Sequence, residues 1–291
     1  MTRRRFGGLL ALAAAGVARA APPDPFVRQL TEIEKALRAR LGVWVLDTQT
    51  RRSWGHRADE SFPMCGIFSF VACAALLARA DAGKVDLGRR VRITARDLLP
   101  DSPVFHSAGD AQNPTLADLC GAALTHNDLT AGNLVLKRVG GPDGLTAFMN
   151  EQGDAASRLD HGPPALNDAT PGDLHDTTTP AAMGAHVRAL LLGSTLSHPS
   201  RRLLTAWLLA NKSGGARLRA GLPHGWDIGD KTATGRHGTT NNVAIVWPPS
   251  HKPLIVSVFI TDTAASVEQR NAAVAQIGGL LEPLVRRQGD R

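Results

Sequence analysis

The stretch FPMCGIFSFVACAALLARADAG, residues 62–83, decides the fold. From Ile67 to Ala82 it is apolar on almost every face that a helix could present, and Gly83 is the residue type that most often ends a helix. A surface helix would carry polar residues along one side instead. The stretch therefore predicts a buried central helix, around which the rest of the chain packs.

Strand patterns occur near both ends of the chain. The runs LGVWVLDT (41–48) and SWGHR (53–57) are separated by a polar turn, which is typical of a hairpin. VAIVWPP (243–249) and LIVSVFITD (254–262) are two further strand runs joined by a short turn. Strands from both chain ends with helices between them predict an α+β fold in which a helical lobe is inserted into the middle of the chain.

The periodic segments between these strands predict helices. Phe26 to Arg40 has apolar residues at the spacing of one buried stripe, and Pro180 suits the first turn of another helix. Residues 160–180 are rich in Pro, Asp and Gly, which favours a long ordered loop or a segment without stable structure. The helices are expected over residues 26–40, 121–139, 179–192 and 266–286.

The first twenty residues have the pattern of an export signal. MTRRRFGGLLALAAAGVARA combines a basic start, a short apolar run and small residues at its end. Residues 2–6 resemble a twin-arginine signal, with an ordinary secretory signal as the alternative. The apolar run is shorter than the roughly 20 residues of a membrane-spanning helix. We therefore expect an exported protein, periplasmic or secreted, with no membrane span.

Charge argues against a nucleic-acid partner. The signal contains four of the 33 basic residues and none of the 26 acidic ones, so its removal lowers the formal net charge from +7 to +3. A mature chain with so small a net positive charge lacks the electrostatic attraction that nucleic-acid binding requires. We expect no nucleic-acid partner.

Three cysteines in an exported chain allow one disulfide and leave one free thiol. Cys65 and Cys73 lie two turns apart on the same predicted helix, which is too far for a bridge. Cys120 must therefore be a partner if a bridge forms. Cys73–Cys120 is the pairing that we expect.

Five blocks of sequence carry a resemblance to a known family. Together they resemble the class A β-lactamases over essentially residues 26–286. The resemblance implies a five-stranded antiparallel sheet flanked by helices, an all-α lobe over about residues 66–205, and a site in the crevice between them. It also implies that residues 21–291, after the signal, form one domain. The blocks are FPMC (62–65), TAGN (130–133), RLD to ALN (158–167), DTTTPAAM (176–183) and GDKT (229–232).

The residues that carry catalysis in that family are replaced here. The family uses the motifs S-x-x-K, S-D-N and K-T-G, together with a loop glutamate that acts through a water molecule. Gly66 stands at the position of the nucleophilic serine, and Ser69 at the position of the lysine. Pro163 stands at the position of the glutamate and has no group that accepts a proton. The ordinary acyl-enzyme route therefore lacks its main participants.

Other motif positions retain polar groups that could bind a substrate. The second motif reads Asn127, Asp128 and Leu129, and the third retains its lysine and threonine before Ala233. A lysine and a threonine could attract the carboxylate that β-lactams carry. The candidate substrate-binding residues are Asn127, Asp128, Asn167, Lys231 and Thr232.

Replacement chemistry has few candidates in the sequence. Ser69 lies one helical turn after Gly66 and could form a catalytic pair with Lys231. Cys65 is a weaker candidate nucleophile, because a cysteine before this helix is more often buried and inert. His126 and Asp128 lack any recognisable metal-ligand spacing, so we expect no metal and no cofactor.

Three functions remain open at this point. The first is a catalytically impaired member of the family that binds β-lactams or peptidoglycan fragments. The second is an active β-lactamase that opens the β-lactam ring, and so confers antibiotic resistance, by weak or unconventional catalysis. The third is a partner-binding protein that uses only the fold. In each case we expect a monomer.

Overall fold

The structure is a computed structural model that describes residues 24–106 and 113–286, so the predicted export signal lies outside the described residues. The helices are α1 (Pro25–Leu37), α2 (Phe68–Asp81), α3 (Leu116–Thr125), α4 (Leu129–Arg138), α5 (Gly141–Glu151), α6 (Pro180–Leu192), α7 (His198–Leu209), α8 (Leu218–Gly221), α9 (Val267–Gly279) and α10 (Glu282–Arg286). The strands are β1 (Arg40–Asp47), β2 (Ser53–His56), β3 (Phe62–Pro63), β4 (Thr177–Thr178), β5 (Asp227–Thr234), β6 (Thr240–Trp247) and β7 (Leu254–Thr261). Two short 3-10 turns cover Cys65–Ile67 and Ala165–Asn167.

The predicted five-stranded antiparallel sheet is confirmed. Its strand order is β2-β1-β7-β6-β5, and both predicted pairs, β1 with β2 and β6 with β7, are present. The pairing of β1 with β7 joins the two ends of the chain in the middle of the sheet. β5, which contains the GDKT block, forms one edge of the sheet. A separate two-stranded sheet joins β3 to β4.

The central helix is α2, as the sequence predicts. Every residue from Phe68 to Leu77 is buried, and the helix packs against α3, α4, α5 and α7. Full burial of each large apolar side chain contributes about 1.5–3 kcal/mol, so this helix supplies much of the stability of the helical lobe. The 3-10 turn Cys65–Ile67 precedes α2 and packs against β5. The start of the central helix is thereby fixed against the edge of the sheet.

Two predicted helices are each divided in two. The segment 121–139 is interrupted after α3, because Asn127 adopts a left-handed conformation (φ 57°) and Asp128 caps a new helix, α4. The C-terminal segment divides into α9 and α10. Pro283 lies in the first turn of α10. Because its backbone nitrogen carries no N–H, it cannot form the hydrogen bond that would continue α9 as one helix.

The expected Cys73–Cys120 disulfide is not present in the structure, in which all three cysteines are free and buried. The two residues are neighbours, since the Cys73 thiol contacts the carbonyl oxygen of Cys120 at 4.0 Å. Burial raises the pKa of the Cys120 thiol well above its ordinary value. The thiol form is therefore strongly favoured at this position. Within residues 24–106 and 113–286, no helix is both long and apolar enough to cross a membrane.

A buried, hydrogen-bonded histidine–aspartate pair connects α6 to the segment after α5. His186 Nε2 lies 2.8 Å from Asp154 Oδ2, and the other oxygen of Asp154 accepts the backbone N–H groups of Ala156 and Ser157. Burial raises the pKa of Asp154, but the hydrogen bonds from His186 and Ser157 and the charge of His186 outweigh it and lower the pKa to about 2. The carboxylate form is therefore strongly favoured in the folded protein.

We expect Asp154→Ala to reduce the free energy of unfolding at pH 7 by about 3 kcal/mol, because it leaves a buried histidine without its partner. In the folded protein the pKa of Asp154 lies below the ordinary value of 3.8. The stabilisation is therefore present above pH 3.8 and is lost as the pH falls through about 2. Urea unfolding at pH 7 and at pH 2.5 measures both effects. Asp59→Ala, at an exposed position, is the control and should change stability by less than about 0.5 kcal/mol. If both variants lost the same free energy of unfolding at pH 7, the stabilising role of the buried Asp154–His186 pair would be contradicted.

Candidate functional site

A crevice of about 320 Å³ lies between the edge strand β5 and the helices of the inserted lobe. It brings together Gly66, Ser69 and the five candidate substrate-binding residues, whereas Pro163, Cys65 and His126 do not line it. The residues lining the crevice are Gly66, Phe68, Ser69, Asp101, Ala123, Asn127, Asp128, Leu129, Gly132, Asn167, Lys231, Thr232, Ala233 and Thr234.

Gly66 lines the crevice without a side chain. A Cβ atom added to it would lie 3.5 Å from Ala233 Cβ and 3.9 Å from Lys231 Nζ, which are ordinary van der Waals distances. The position could therefore hold a small side chain, but glycine provides no reactive atom there. Any covalent chemistry in the crevice has to come from another residue.

The expected pair of Ser69 and Lys231 is not hydrogen-bonded in the structure. Ser69 is 4% exposed, and its hydroxyl donates to the carbonyl oxygen of Gly66 at 2.9 Å. Lys231 Nζ donates instead to Asn127 Oδ1 and, at 2.7 Å, to the carbonyl oxygen of Thr232. Among the described residues, no base is hydrogen-bonded to the Ser69 hydroxyl, although Ser69 and Lys231 line the same crevice.

Asn127 connects the helical lobe to the sheet. Its Oδ1 accepts from Lys231, and its Nδ2 donates to Thr232 Oγ1 at 3.1 Å and to Ser213 Oγ at 3.0 Å. The hydroxyl groups of Ser213 and Thr232 are themselves 2.6 Å apart. The left-handed backbone of Asn127, which asparagine adopts more readily than most residues, turns its amide toward β5. This network fixes the shape of the crevice.

Asp128 has a structural role, although the sequence predicts it as a substrate-binding residue. Its Oδ1 accepts the backbone N–H of Ala131 at 2.8 Å and so caps α4. Its Oδ2 accepts the N–H groups of Val104 and Phe105, both at 2.9 Å. The carboxylate holds the 101–106 segment against α4, and three N–H groups already occupy its oxygens.

The loop 160–176 contributes Asn167 to the crevice. Asn167 Oδ1 is buried without a hydrogen-bond partner among the described residues, so it can accept a hydrogen bond from a ligand. The carbonyl oxygen of Asn167 accepts the N–H of Arg236 at 3.0 Å, which attaches the loop to the turn after β5. Pro163, which precedes a cis peptide bond to Pro164, offers no group that could activate water.

Arg217 is a site residue that sequence reasoning missed. It is 6% exposed and donates to the carbonyl oxygens of Ala233 and Asn241 at 2.8 Å and to Thr234 Oγ1 at 2.6 Å. Burial and the charge of Arg270 lower the pKa of Arg217 to about 10. Arg217 lies between α7 and β5 in a segment without a recognisable motif, so no sequence signal indicated it.

The positive charge at this end of β5 is not balanced by acids. Among the described residues, no carboxylate forms an ion pair with Lys231, Arg217 or Arg270, all of which are buried. Asp230, the nearest acid along β5, is instead paired with Arg219 at 2.8 Å. Arg217 and Arg270, two buried cations without a paired acid among the described residues, favour a ligand that carries a negative charge.

Comparisons with known proteins agree with this architecture. The model of the β-lactamase enzyme family matches residues 25–282. The β-lactamase AER-1 of Aeromonas hydrophila is 43% identical over 252 residues, which are 87% of this chain and 83% of the relative. The chain belongs to the class A β-lactamase family.

Further relatives and solved structures support the same family assignment. The β-lactamase PSE-4 of Pseudomonas aeruginosa is 42% identical over 246 residues, covering 84% of this chain and 85% of the relative. An ancestral class A β-lactamase has a similar structure, with a TM-score of 0.87 at 50% identity over 89% of this chain and 99% of its own. The putative class A β-lactamase PenP of Rhodopseudomonas palustris has the same TM-score at 45% identity, covering 90% of this chain and all of its own.

Two candidate nucleophilic or metal-binding groups receive no support from the geometry. Cys65 is fully buried, and burial raises the pKa of its thiol to about 12, so the thiolate is strongly disfavoured. His126 Nδ1 is engaged with Thr125 Oγ1 at 2.7 Å. Over the described ranges, no group of three His, Cys, Asp or Glu residues could hold a metal ion.

A histidine pairs with an aspartate where the two ends of the loop 160–176 meet. His161 Nδ1 lies 2.8 Å from Asp176 Oδ2, while Asp176 Oδ1 accepts the N–H groups of Asp160 and His161. The hydrogen bond and charge of Asp176 raise the pKa of His161 above its ordinary value of 6.5. The other titratable groups nearby are Asp160, with its partner Arg158, and His175 with Asp173.

We expect the loop 160–176 to loosen as the pH rises from 6 to 9. Because the folded pKa of His161 is raised, the extra stability is complete below pH 6.5 and is lost as the pH rises through the folded pKa. Amide hydrogen exchange of the loop, corrected for intrinsic rates, measures this, with β7 as the internal control. His161→Arg, whose side chain stays charged over this range, should remove the pH dependence of exchange in the loop. A pH dependence that is the same in both proteins would contradict the assignment.

We also expect Gly66→Ser to fold normally, since its Cβ has ordinary contacts and glycine is not required by the backbone at this position. Its free energy of unfolding should lie within about 1 kcal/mol of the parent. Gly184→Ala is the comparison, because a Cβ there would lie 2.2 Å from the Trp44 ring and should cost about 1–3 kcal/mol. Urea unfolding of both variants checks the difference. Equal destabilisation would show that the crevice has no space at position 66.

Proposed function

We propose that this class A β-lactamase family member binds β-lactams, or peptidoglycan fragments with similar carboxylate and amide groups, without the serine acyl-enzyme route. The observation that carries the proposal is Gly66, which stands at the nucleophile position in the crevice. The crevice offers hydrogen-bonding groups, whereas position 66 carries no side chain that could form an ester with the ligand.

Recognition of an anionic ligand is supported by the cluster at the end of β5. The hydroxyl groups of Thr232 and Thr234 line the crevice, and Arg217 holds the hydroxyl of Thr234 at 2.6 Å. A carboxylate accepts hydrogen bonds from hydroxyl groups and is attracted by buried cations. Asn167 Oδ1 adds an unpaired acceptor on the opposite loop, which suits an amide N–H of the ligand.

Loss of the ordinary mechanism is supported by three substitutions that affect different steps. Gly66 removes the atom that forms the ester, and Ser69 cannot replace a lysine as a base. Pro163 cannot activate the water that would hydrolyse an ester. Restoring one of these residues alone would not restore the whole cycle.

β-Lactam hydrolysis is the second candidate, and the comparisons favour it over a binding-only function. The relatives AER-1 and PSE-4 are named β-lactamases and are 43% and 42% identical to this chain over most of its length. In this chain, hydrolysis would require attack by water or by another residue of the crevice. Lys231 is the basic group available there, since burial lowers its pKa to about 7.

We further propose that the protein acts outside the cytoplasm, because residues 1–20 have the pattern of an export signal. A monomer is sufficient for the proposed activity, since residues of one chain line the whole crevice.

The two candidates are separated by measuring binding and turnover on the same preparation. We expect equilibrium dialysis to show saturable binding of a penicillin and a chromogenic cephalosporin, with Thr232→Val weakening it about tenfold through loss of a hydroxyl group. Thr31→Val, on α1 and away from the crevice, is the matched control.

Hydrolysis of the cephalosporin, followed by its colour change, would establish the second candidate. Turnover that persists in a Ser69→Ala, Lys231→Ala double variant would exclude a mechanism based on that pair. Absence of both saturable binding and turnover in the parent protein would overturn both candidates and leave a role that uses only the fold.

A further inference from the structure

Lys231 stands beside the space that Gly66 leaves. It is 1% exposed yet lines the crevice, and its Nζ would lie 3.9 Å from a Cβ on Gly66. A ligand atom at the place of that Cβ would therefore lie 3.9 Å from the amine nitrogen.

The hydrogen bonds of Lys231 match those of a neutral amine. An ammonium group has three N–H donors, whereas a neutral amine has two N–H donors and a lone pair. The structure provides two acceptors, Asn127 Oδ1 and the carbonyl oxygen of Thr232, both uncharged. These two satisfy a neutral amine and leave its lone pair free.

Electrostatics also favour the neutral amine. Burial lowers the pKa of Lys231 to about 7, and the charge of Arg217 acts in the same direction, while Cys73 and Asp230 oppose it. No described carboxylate pairs with the amine, because Asp230 is engaged by Arg219 and by Asn242. A lysine that is desolvated next to another cation is the kind that acts as a nucleophile in enzymes.

We propose that Lys231 is a nucleophile that captures β-lactams as a stable amide. This inference rests on the proposed function, since it requires the β-lactam to bind in the crevice. The Nζ lone pair attacks the strained β-lactam carbonyl and forms an N–C bond. The lactam C–N bond then breaks, and the proton released from Nζ is transferred to the lactam nitrogen. Atoms and charge balance without another reactant, and the whole β-lactam is added to the chain.

The other two candidate nucleophiles are less suited to this step. The Ser69 hydroxyl donates to the carbonyl of Gly66 and has no base beside it. Burial raises the pKa of Cys65 to about 12, so its thiolate is scarce at neutral pH. Burial, by contrast, lowers the pKa of the Lys231 amine to about 7, which favours the nucleophilic form.

Capture by an amine has a different outcome from capture by a serine. An ester can be hydrolysed by an activated water, but an amide is far more resistant, and Pro163 offers no group to activate water. Each chain would therefore bind one β-lactam covalently and then remain blocked. The protein would consume the antibiotic stoichiometrically and would not turn it over.

The test is intact-protein mass spectrometry of the mature chain after incubation with benzylpenicillin. We expect an increase equal to the whole penicillin, one per chain, located on Lys231 by peptide mapping and unchanged by neutral hydroxylamine. Hydroxylamine cleaves esters and thioesters, so an adduct that it removes, or one that maps to Ser69 or Cys65, would overturn the proposal.

Two variants and a pH series make the test specific. Lys231→Arg, which keeps the positive charge, and Lys231→Met should each slow adduct formation at least 100-fold. Lys212→Met, at an exposed lysine, is the matched control and should react like the parent. Below pH 7 the rate should rise about tenfold per pH unit and then level off, because only the neutral amine attacks. A rate that is unaffected by Lys231→Arg would overturn the inference.

Equilibrium dialysis with the same penicillin separates this inference from the proposed function. Saturable, reversible binding to the parent without an adduct would refute the nucleophile and leave the binding function standing. Absence of both binding and adduct would refute both. The fold of each variant is checked by urea unfolding, so that loss of reaction in an unfolded protein is not taken as support.

Discussion

The burial of α2 is the constraint on which the rest of the structure depends. Its ten buried residues from Phe68 to Leu77 fix it among the helices of the inserted lobe, and the turn before it packs against β5. Position 66 therefore has to face the edge of the sheet, whatever residue occupies it. The packing that builds the crevice and the chemistry inside it therefore depend on different residues.

Much of the fold could be predicted from the sequence, because its strongest patterns are local. The uniform apolarity of α2 and the β-rich runs of the β1–β2 hairpin are read directly from consecutive residues. The break before α4 could not be predicted in this way. It depends on the Asp128 carboxylate, which accepts from Val104 and Phe105 more than twenty residues earlier in the chain.

The site was predictable only where it follows a motif. Family resemblance located Gly66, Lys231 and Thr232 in one crevice, as the structure shows. It could not locate Arg217, whose contacts with β5 and β6 are made through space and not by sequence spacing. Nor could it show that burial alters the acidity of Lys231, since that property depends on which neighbours surround the amine.

β5 is an edge strand, and this has a consequence for how selective the crevice can be. The outer side of an edge strand presents main-chain N–H and C=O groups that are not paired within the sheet. An extended ligand with an amide and a carboxylate can align with such an edge and extend the sheet by one strand. Affinity of this kind comes from the backbone, which side-chain substitution does not remove. A ligand held in this way would depend on the path of the backbone more than on the side chains around it.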